Sequence, residues 1–170
     1  QGIDFYQQKN YARAVSAFRR SAALLPFSDN AAKAYDYMGK AYLNLGKTAD
    51  AIKVYKDAIR IYPTRDEFQL ALGDIYLKEG QTEDALKAFA AAVRLNPDSA
   101  DSRYSLGQSY LSAGQLDAAR EQFANVVRLS PVSAAGYYGL GQTARQAGDY
   151  PEAVLQLDKA IRVNRNFENA

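Results

Sequence analysis

The chain has 170 residues, 48% of them hydrophobic and 24% charged, with a net charge of +2. These values are ordinary for a globular protein and exclude a disordered or low-complexity tail; no apolar run approaches the roughly twenty residues that span a bilayer, and a charge this small and mixed leaves no nucleic-acid footprint. With 0 Cys and 0 His, disulfides, Cys/His zinc sites, thiol nucleophiles and Ser-His-Asp triads are excluded within this chain.

The 11 Gly and 5 Pro fall on a lattice. Gly39, Gly73, Gly107 and Gly141 are 34 residues apart, and Gly2 lies 37 before Gly39. Gly46, Gly80, Gly114 and Gly148 form a second column of the same period, 7 residues behind the first. Pro26, Pro63, Pro97 and Pro131 follow at 37, 34 and 34. Phe5, Tyr42, Tyr76 and Tyr110 keep the same register, as do Ala14, Ala51, Ala85, Ala119 and Ala153, and then Phe18, Tyr55, Phe89, Phe123 and Leu157. Within each period the apolar residues recur at three and four, the helical spacing. Each unit therefore reads as two helices joined at the second glycine and closed by the proline.

In chain order, the first unit, roughly 1–28, is truncated: Gln1 enters midway along its first helix. The second, roughly 29–65, predicts helices near Ala31 to Leu45 and Ala49 to Tyr62. Three extra residues, Ser28-Asp29-Asn30, predict a longer turn or an extended first helix there. Thr48 and Thr82 stand where they would cap second helices. Thr64 and Glu67 have capping-box spacing at the head of the third unit, roughly 66–99. The fourth unit covers roughly 100–133 and the fifth roughly 134–167. In the fifth, Pro151 suits the first turn of a helix, and Arg165 in the proline position predicts a last helix running on through Asn166. Phe167-Glu168-Asn169-Ala170 reads as the start of a sixth unit, so the segment reads as a window on a longer array. Gly73 and Ala85 would face each other where paired helices cross, and the aromatic that follows would fill the space toward the next unit.

These columns resemble the tetratricopeptide repeat. The second unit supplies Tyr35, Met38-Gly39, Tyr42, Ala51, Tyr55 and Pro63. The third supplies Leu72-Gly73, Tyr76, Ala85, Phe89 and Pro97, and the fourth Leu106-Gly107, Tyr110, Ala119, Phe123 and Pro131. The fifth supplies Tyr137, Leu140-Gly141 and Ala153. Departures are Gln69 and Arg103 at the first aromatic position, Ala144 for the tyrosine and Leu157 for the second aromatic. The resemblance implies an all-α fold, a right-handed α-solenoid of about five helix-turn-helix units in a single array.

In that family the first helices line a concave face that binds extended peptides or helices. Carried over by register, the groove residues are Asp36, Lys40, Leu43 and Asn44; Leu70, Asp74, Leu77 and Lys78; Tyr104, Gln108, Leu111 and Ser112; and Tyr138, Gln142, Arg145 and Gln146. The resemblance therefore implies a protein or peptide partner and a scaffold or adaptor role. Two specific family modes are absent. Asp36, Leu70, Tyr104, Lys40, Asp74 and Gln108 do not make the carboxylate clamp that holds chaperone tails. Tyr37, Ala71, Ser105 and Gly139 do not make the asparagine ladder of the sugar-transferase type.

Arg60, Arg94, Arg128 and Arg162 form a further column near the ends of second helices, where a cation suits the helix dipole. Tyr42, Tyr55, Tyr76 and Tyr110 read as core. Catalysis finds no support: Glu83 and Asp84 sit at a helix start, where acids are expected, and the glycines serve the repeat and not a phosphate loop. No cofactor and no metal site are implied. Two further readings stand beside the binding module: a scaffold that self-associates through its array ends, and the targeting region of a larger enzyme. The alanine-rich helices suggest a bacterial source; cytoplasm and bacterial periplasm stay equally open.

Overall fold

The computed structural model describes residues 1–168 and shows ten helices and no strand among them. Contacts gather the chain into two compact units, Gln1–Ile75 and Tyr76–Ala170. The expectation that Phe167 to Ala170 open a sixth unit reaches beyond the described residues.

The first unit contains α1 (Gly2–Gln7), α2 (Tyr11–Leu24), α3 (Asp29–Asn44), α4 (Thr48–Ile61) and most of α5 (Asp66–Lys78). Consecutive helices from α1 to α4 pack on one another. Ala14, Phe18, Ala31, Met38, Ala41, Ala51, Tyr55, Ala58, Phe68 and Leu72 are buried. Phe18 stacks on Tyr37 with ring centroids 5.0 Å apart, and Tyr55 meets Phe68 at 6.4 Å. The first glycine column makes room for these rings. A β-carbon on Gly2 would stand 2.7 Å from the Phe18 ring, and one on Gly39 would stand 2.4 Å from the Tyr55 ring. The glycine thus seats the aromatic sixteen residues on, in the same helix pair.

The second unit holds α6 (Thr82–Leu95), α7 (Ala100–Ser112), α8 (Leu116–Leu129), α9 (Ala134–Gln146) and α10 (Tyr150–Glu168). Each packs on the next, and α7 also touches α9. Phe123 is fully buried between two glycines, since a β-carbon on Gly107 or on Gly139 would meet its ring at 2.8 or 2.4 Å. Gly141 seats Leu157 in the same way, at 2.7 Å.

The second glycine column works through backbone conformation. Gly46, Gly80, Gly114 and Gly148 have φ between +70° and +81°, the left-handed region that a helix C-terminus favours and glycine enters freely. The residue after each donates its N–H back to the carbonyl of Tyr42, Tyr76, Tyr110 or Ala144 at 2.8–2.9 Å, closing a Schellman turn. In the first unit Lys9 takes the same place with φ +59°, and Asn10 bonds the Phe5 carbonyl at 2.8 Å. Pro26, Pro63, Pro97 and Pro131 each stand two residues beyond a helix end.

Several local readings change. The three extra residues extend α3, which has 16 residues where α5, α7 and α9 have 13. Thr48 and Thr82 are already inside their helices; Lys47 and Gln81 occupy the cap positions without a side-chain cap bond. Thr64 stands one residue too early to cap α5, because the turn held by Arg65 N–H on the Tyr62 carbonyl delays its start to Asp66, and Glu67 instead receives the Arg65 guanidinium at 3.0 Å. Side-chain caps form instead at Ser28, Ser99 and Ser133 on first helices, and at Asn10 and Asp149 ahead of α2 and α10, each accepting an N–H from three residues on. Among the tyrosines read as core, Tyr55 is buried whereas Tyr42, Tyr76 and Tyr110 are half-buried. The phenol keeps them at the rim: Tyr42 Oη accepts from Arg19 at 3.0 Å. The last helix does run past Asn166.

Candidate functional site: the exposed faces of the first helices

None of the sixteen register-derived groove residues is buried. The helical periodicity that puts Met38, Leu72 and Leu106 into the core turns these positions outward. Their electrostatics differ between the two units.

In the first unit the face is charged. Lys40 donates to Asp36 Oδ2 at 2.7 Å, an i,i+4 ion pair on α3. That hydrogen bond holds the Lys40 ammonium above the usual lysine range. Tyr55 Oη reaches up from α4 to Asp36, 3.3 Å from both its carbonyl and its Oδ1. Burial, then the Asp36 charge, pushes the Tyr55 hydroxyl well above the ordinary tyrosine range. Asn44 donates to the Lys40 carbonyl at 2.8 Å and to Tyr6 Oη at 3.3 Å. A cavity of about 310 Å³ lies between α3 and α5, lined by Lys33, Asp36, Lys40, Glu67, Leu70 and Asp74 among others. Lys33 and Glu67 are lining residues that register alone did not single out, because they stand one turn ahead of the repeat positions. Leu43 is half-buried; at the end of α5, already within the second unit, Leu77 is half-buried and Lys78 exposed.

On α7 and α9, in the second unit, the face is mostly uncharged, with Arg145 as its cation. Gln108 Nε2 donates to Tyr104 Oη at 2.8 Å, and one period later Gln142 Nε2 donates to Tyr138 Oη. Arg145 then donates to Gln142 Oε1 at 2.8 Å. Gln146 Nε2 donates across to the Leu111 carbonyl at 3.4 Å, so α7 and α9 present their faces side by side. Tyr104 lies tilted against Phe123 at 5.6 Å, whereas Tyr138 is 45% exposed. Ser112 is exposed and Leu111 half-buried. The i,i+4 spacing of Tyr and Gln is a signal that runs along each helix and not down the repeat columns.

The arginine column stays on the outside, and three of its members pair within their own helices. Arg60 meets Asp57 at 3.0 Å, Arg128 meets Asn125 at 3.3 Å, and Arg162 meets Asp158 at 2.7 Å. Glu83 and Asp84 lie exposed in the first turn of α6, with Asp84 3.5 Å from Lys87. No group of His, Cys, Asp or Glu among the described residues is placed to hold a metal ion, and no described helix is long and apolar enough to cross a membrane.

Comparison with known proteins completes the picture. Descriptions of the tetratricopeptide repeat match residues 70–123, 104–169 and 1–64. No curated protein matches in sequence. Among solved structures, a crystal structure of MamA superposes with a TM-score of 0.86 at 24% identity, covering 99% of this chain and 97% of that one. MamA 41-end from Desulfovibrio magneticus RS-1 gives 0.80 at 23% identity over 97% and 92% of the two chains. YrrB, described as a TPR protein with an unusual peptide-binding site, gives 0.76 at 26% identity over 95% and 82%.

Proposed function

The chain belongs to the tetratricopeptide repeat family, and from that premise we propose that it is a protein-interaction module that docks an extended peptide or a helix of a partner on the exposed faces of its first helices. The observation that carries this reading is the α7/α9 face, where the pairs Tyr104–Gln108 and Tyr138–Gln142 repeat at one period on adjoining helices. In each pair the glutamine amide donates to the phenol oxygen. The phenol proton is not used in that bond, which leaves it available to donate to a carbonyl of a docked chain. Tyrosine also supplies large, rigid apolar area at low entropic cost, which is why it anchors interfaces. YrrB, with its described peptide-binding site, supports the same use of the fold. Modules of this kind hold a partner at about micromolar affinity, roughly −8 kcal/mol.

Selection from a displayed library of extended peptides tests the reading. Peptides enriched on this chain should bind the Tyr104→Ala/Tyr138→Ala variant at least about tenfold more weakly. Equal binding by the two proteins would remove the first-helix face as the docking site.

A further inference from the structure

The turn between α2 and α3 presents a second surface, unrelated to the first-helix face. Leu24 is 79% exposed, Leu25 66% and Phe27 78%. They cluster around Pro26 at the end of α2 with most of their surface in solvent. The equivalent turns of later repeats are built otherwise: where this one has Leu25 and Phe27, the others have Tyr62 and Thr64, Asn96 and Asp98, and Ser130 and Val132. Tyr62 is buried, Asn96 and Asp98 are polar, and Val132, 61% exposed, is one apolar side chain where this turn has three. The repeat architecture itself thus does not call for an apolar tip.

The backbone adds an independent observation. Phe27 sits at φ +74°, a left-handed conformation that is rare for an aromatic residue. With most of its surface in solvent, little packing inside the chain offsets that conformation. The turn is nonetheless pinned: Ser28 donates both its N–H, at 3.3 Å, and its Oγ, at 2.8 Å, to the Leu25 carbonyl, and caps α3. A strained residue held in place with its ring outward points to a use outside the chain.

Charge decides what that use is. Helix α2 carries Arg13, Arg19 and Arg20 and no acidic residue. Arg20 lines one hollow with Leu24, and Arg19, which also donates to Tyr42 Oη at 3.0 Å, lines another with Pro26, so two cationic side chains stand beside the apolar turn. Asp29, beyond the turn, is engaged by Arg65. Asp57, which shares the Arg19 hollow with Asp50 and Lys53, is paired with Arg60. Protruding apolar side chains rimmed by arginines match the boundary layer of an anionic bilayer, where acyl chains take the apolar groups and headgroups the cations. We infer that the Leu24–Phe27 turn docks this chain on anionic membrane surfaces, seating Leu24, Leu25 and Phe27 at the headgroup boundary with Arg19 and Arg20 among the phosphates.

Co-sedimentation of this chain with phosphatidylcholine vesicles, with and without phosphatidylglycerol, tests the inference. Binding should require the anionic lipid and fall as salt rises. The variant Phe27→Gly separates docking from folding, because glycine accepts the left-handed backbone: its thermal midpoint should hold or rise while vesicle binding falls at least about tenfold. Arg19→Gln/Arg20→Gln should weaken binding to the anionic vesicles by a similar factor. Absence of binding to anionic vesicles, or undiminished binding by Phe27→Gly, would overturn the inference. So would saturable binding of an acidic, leucine-rich synthetic peptide at this turn in a chain that ignores vesicles, which would assign the tip to a protein partner.

Discussion

Gly39 lies against the ring of Tyr55: a β-carbon at Gly39 would stand 2.4 Å from Cε2 and Cζ of that ring. The ring cannot swing away, because it is buried and its hydroxyl is tied to Asp36. Gly39→Ala should therefore destabilise the chain by about 1–3 kcal/mol through overpacking. Gly46→Ala should cost about 1 kcal/mol for a different reason, since nothing lies within 4 Å of a β-carbon there but φ is +70°. The converse test uses Lys9, which holds the same left-handed place in the first repeat: Lys9→Gly should gain up to about 1 kcal/mol. Urea unfolding midpoints of the three variants check all of this, and a destabilised Lys9→Gly would break the assignment of the second glycine column to backbone conformation.

Helix capping gives a sharper test because sequence and structure disagree. Ser28, Ser99 and Ser133 accept an N–H from the first turns of α3, α7 and α9, so each Ser→Ala change should cost about 1 kcal/mol. Thr48→Ala and Thr82→Ala should cost a few tenths at most on this account, since both threonines lie inside their helices. Thermal melts of the five variants would expose the error if the threonine changes proved the larger.

The repeat period made the fold legible, and with it the residues that face out, because a strict spacing of glycine, alanine and aromatic leaves one way to pair the helices. Caps were less legible. Thr48 and Thr82 have the right chemistry one residue too late, and a cap is decided by where the last non-helical residue falls, which here is Lys47 or Gln81. The role of the first glycine was half legible: its smallness was evident, but not that it seats the ring sixteen residues on. In the candidate site each residue could be named from register, whereas the pairings could not. Asp36 with Lys40 and Tyr104 with Gln108 depend on rotamers, and the bridge from Gln146 to the Leu111 carbonyl depends on how α9 lies beside α7. The charged character of the α3 and α5 face and the mostly uncharged character of the α7 and α9 face follow from residue identities alone, and so were legible.

Alkaline pH should reveal the Tyr55–Asp36 contact. Burial and then the Asp36 charge push the Tyr55 hydroxyl well above its ordinary value of 10.0. Above that pH the unfolded chain loses the phenol proton while the folded chain keeps it. The stabilisation is thus fully present below pH 10 and is lost as pH rises further, at about 1.4 kcal/mol per pH unit for one such group. Tyr35 shifts the same way, chiefly through burial, so the wild-type slope contains more than one tyrosine. Tyr55→Phe should lower stability at neutral pH by about 1 kcal/mol and flatten the decline above pH 10. Urea midpoints measured across the alkaline range would contradict this if both proteins lost stability in parallel.

The two tyrosines of the α7/α9 face should separate folding from binding. Tyr104 packs against the buried Phe123 ring at 5.6 Å, so Tyr104→Ala removes core-facing area and should cost about 1–3 kcal/mol of stability as well as affinity. Tyr138 is 45% exposed, and its hydroxyl is met by Gln142 from the same helix. Tyr138→Ala should leave stability within about 0.5 kcal/mol of wild type. If that ring anchors a docked peptide, the same change should weaken binding by about 1–2 kcal/mol, or roughly five- to thirtyfold. Gln142→Ala should lose less, because it releases the phenol without removing the ring. Fluorescence anisotropy with a library-selected peptide reads these affinities, and melting midpoints of the same samples read the fold. A Tyr138→Ala protein that melts normally and binds normally would move the docking site off this face, since no folding defect could then be hiding the effect.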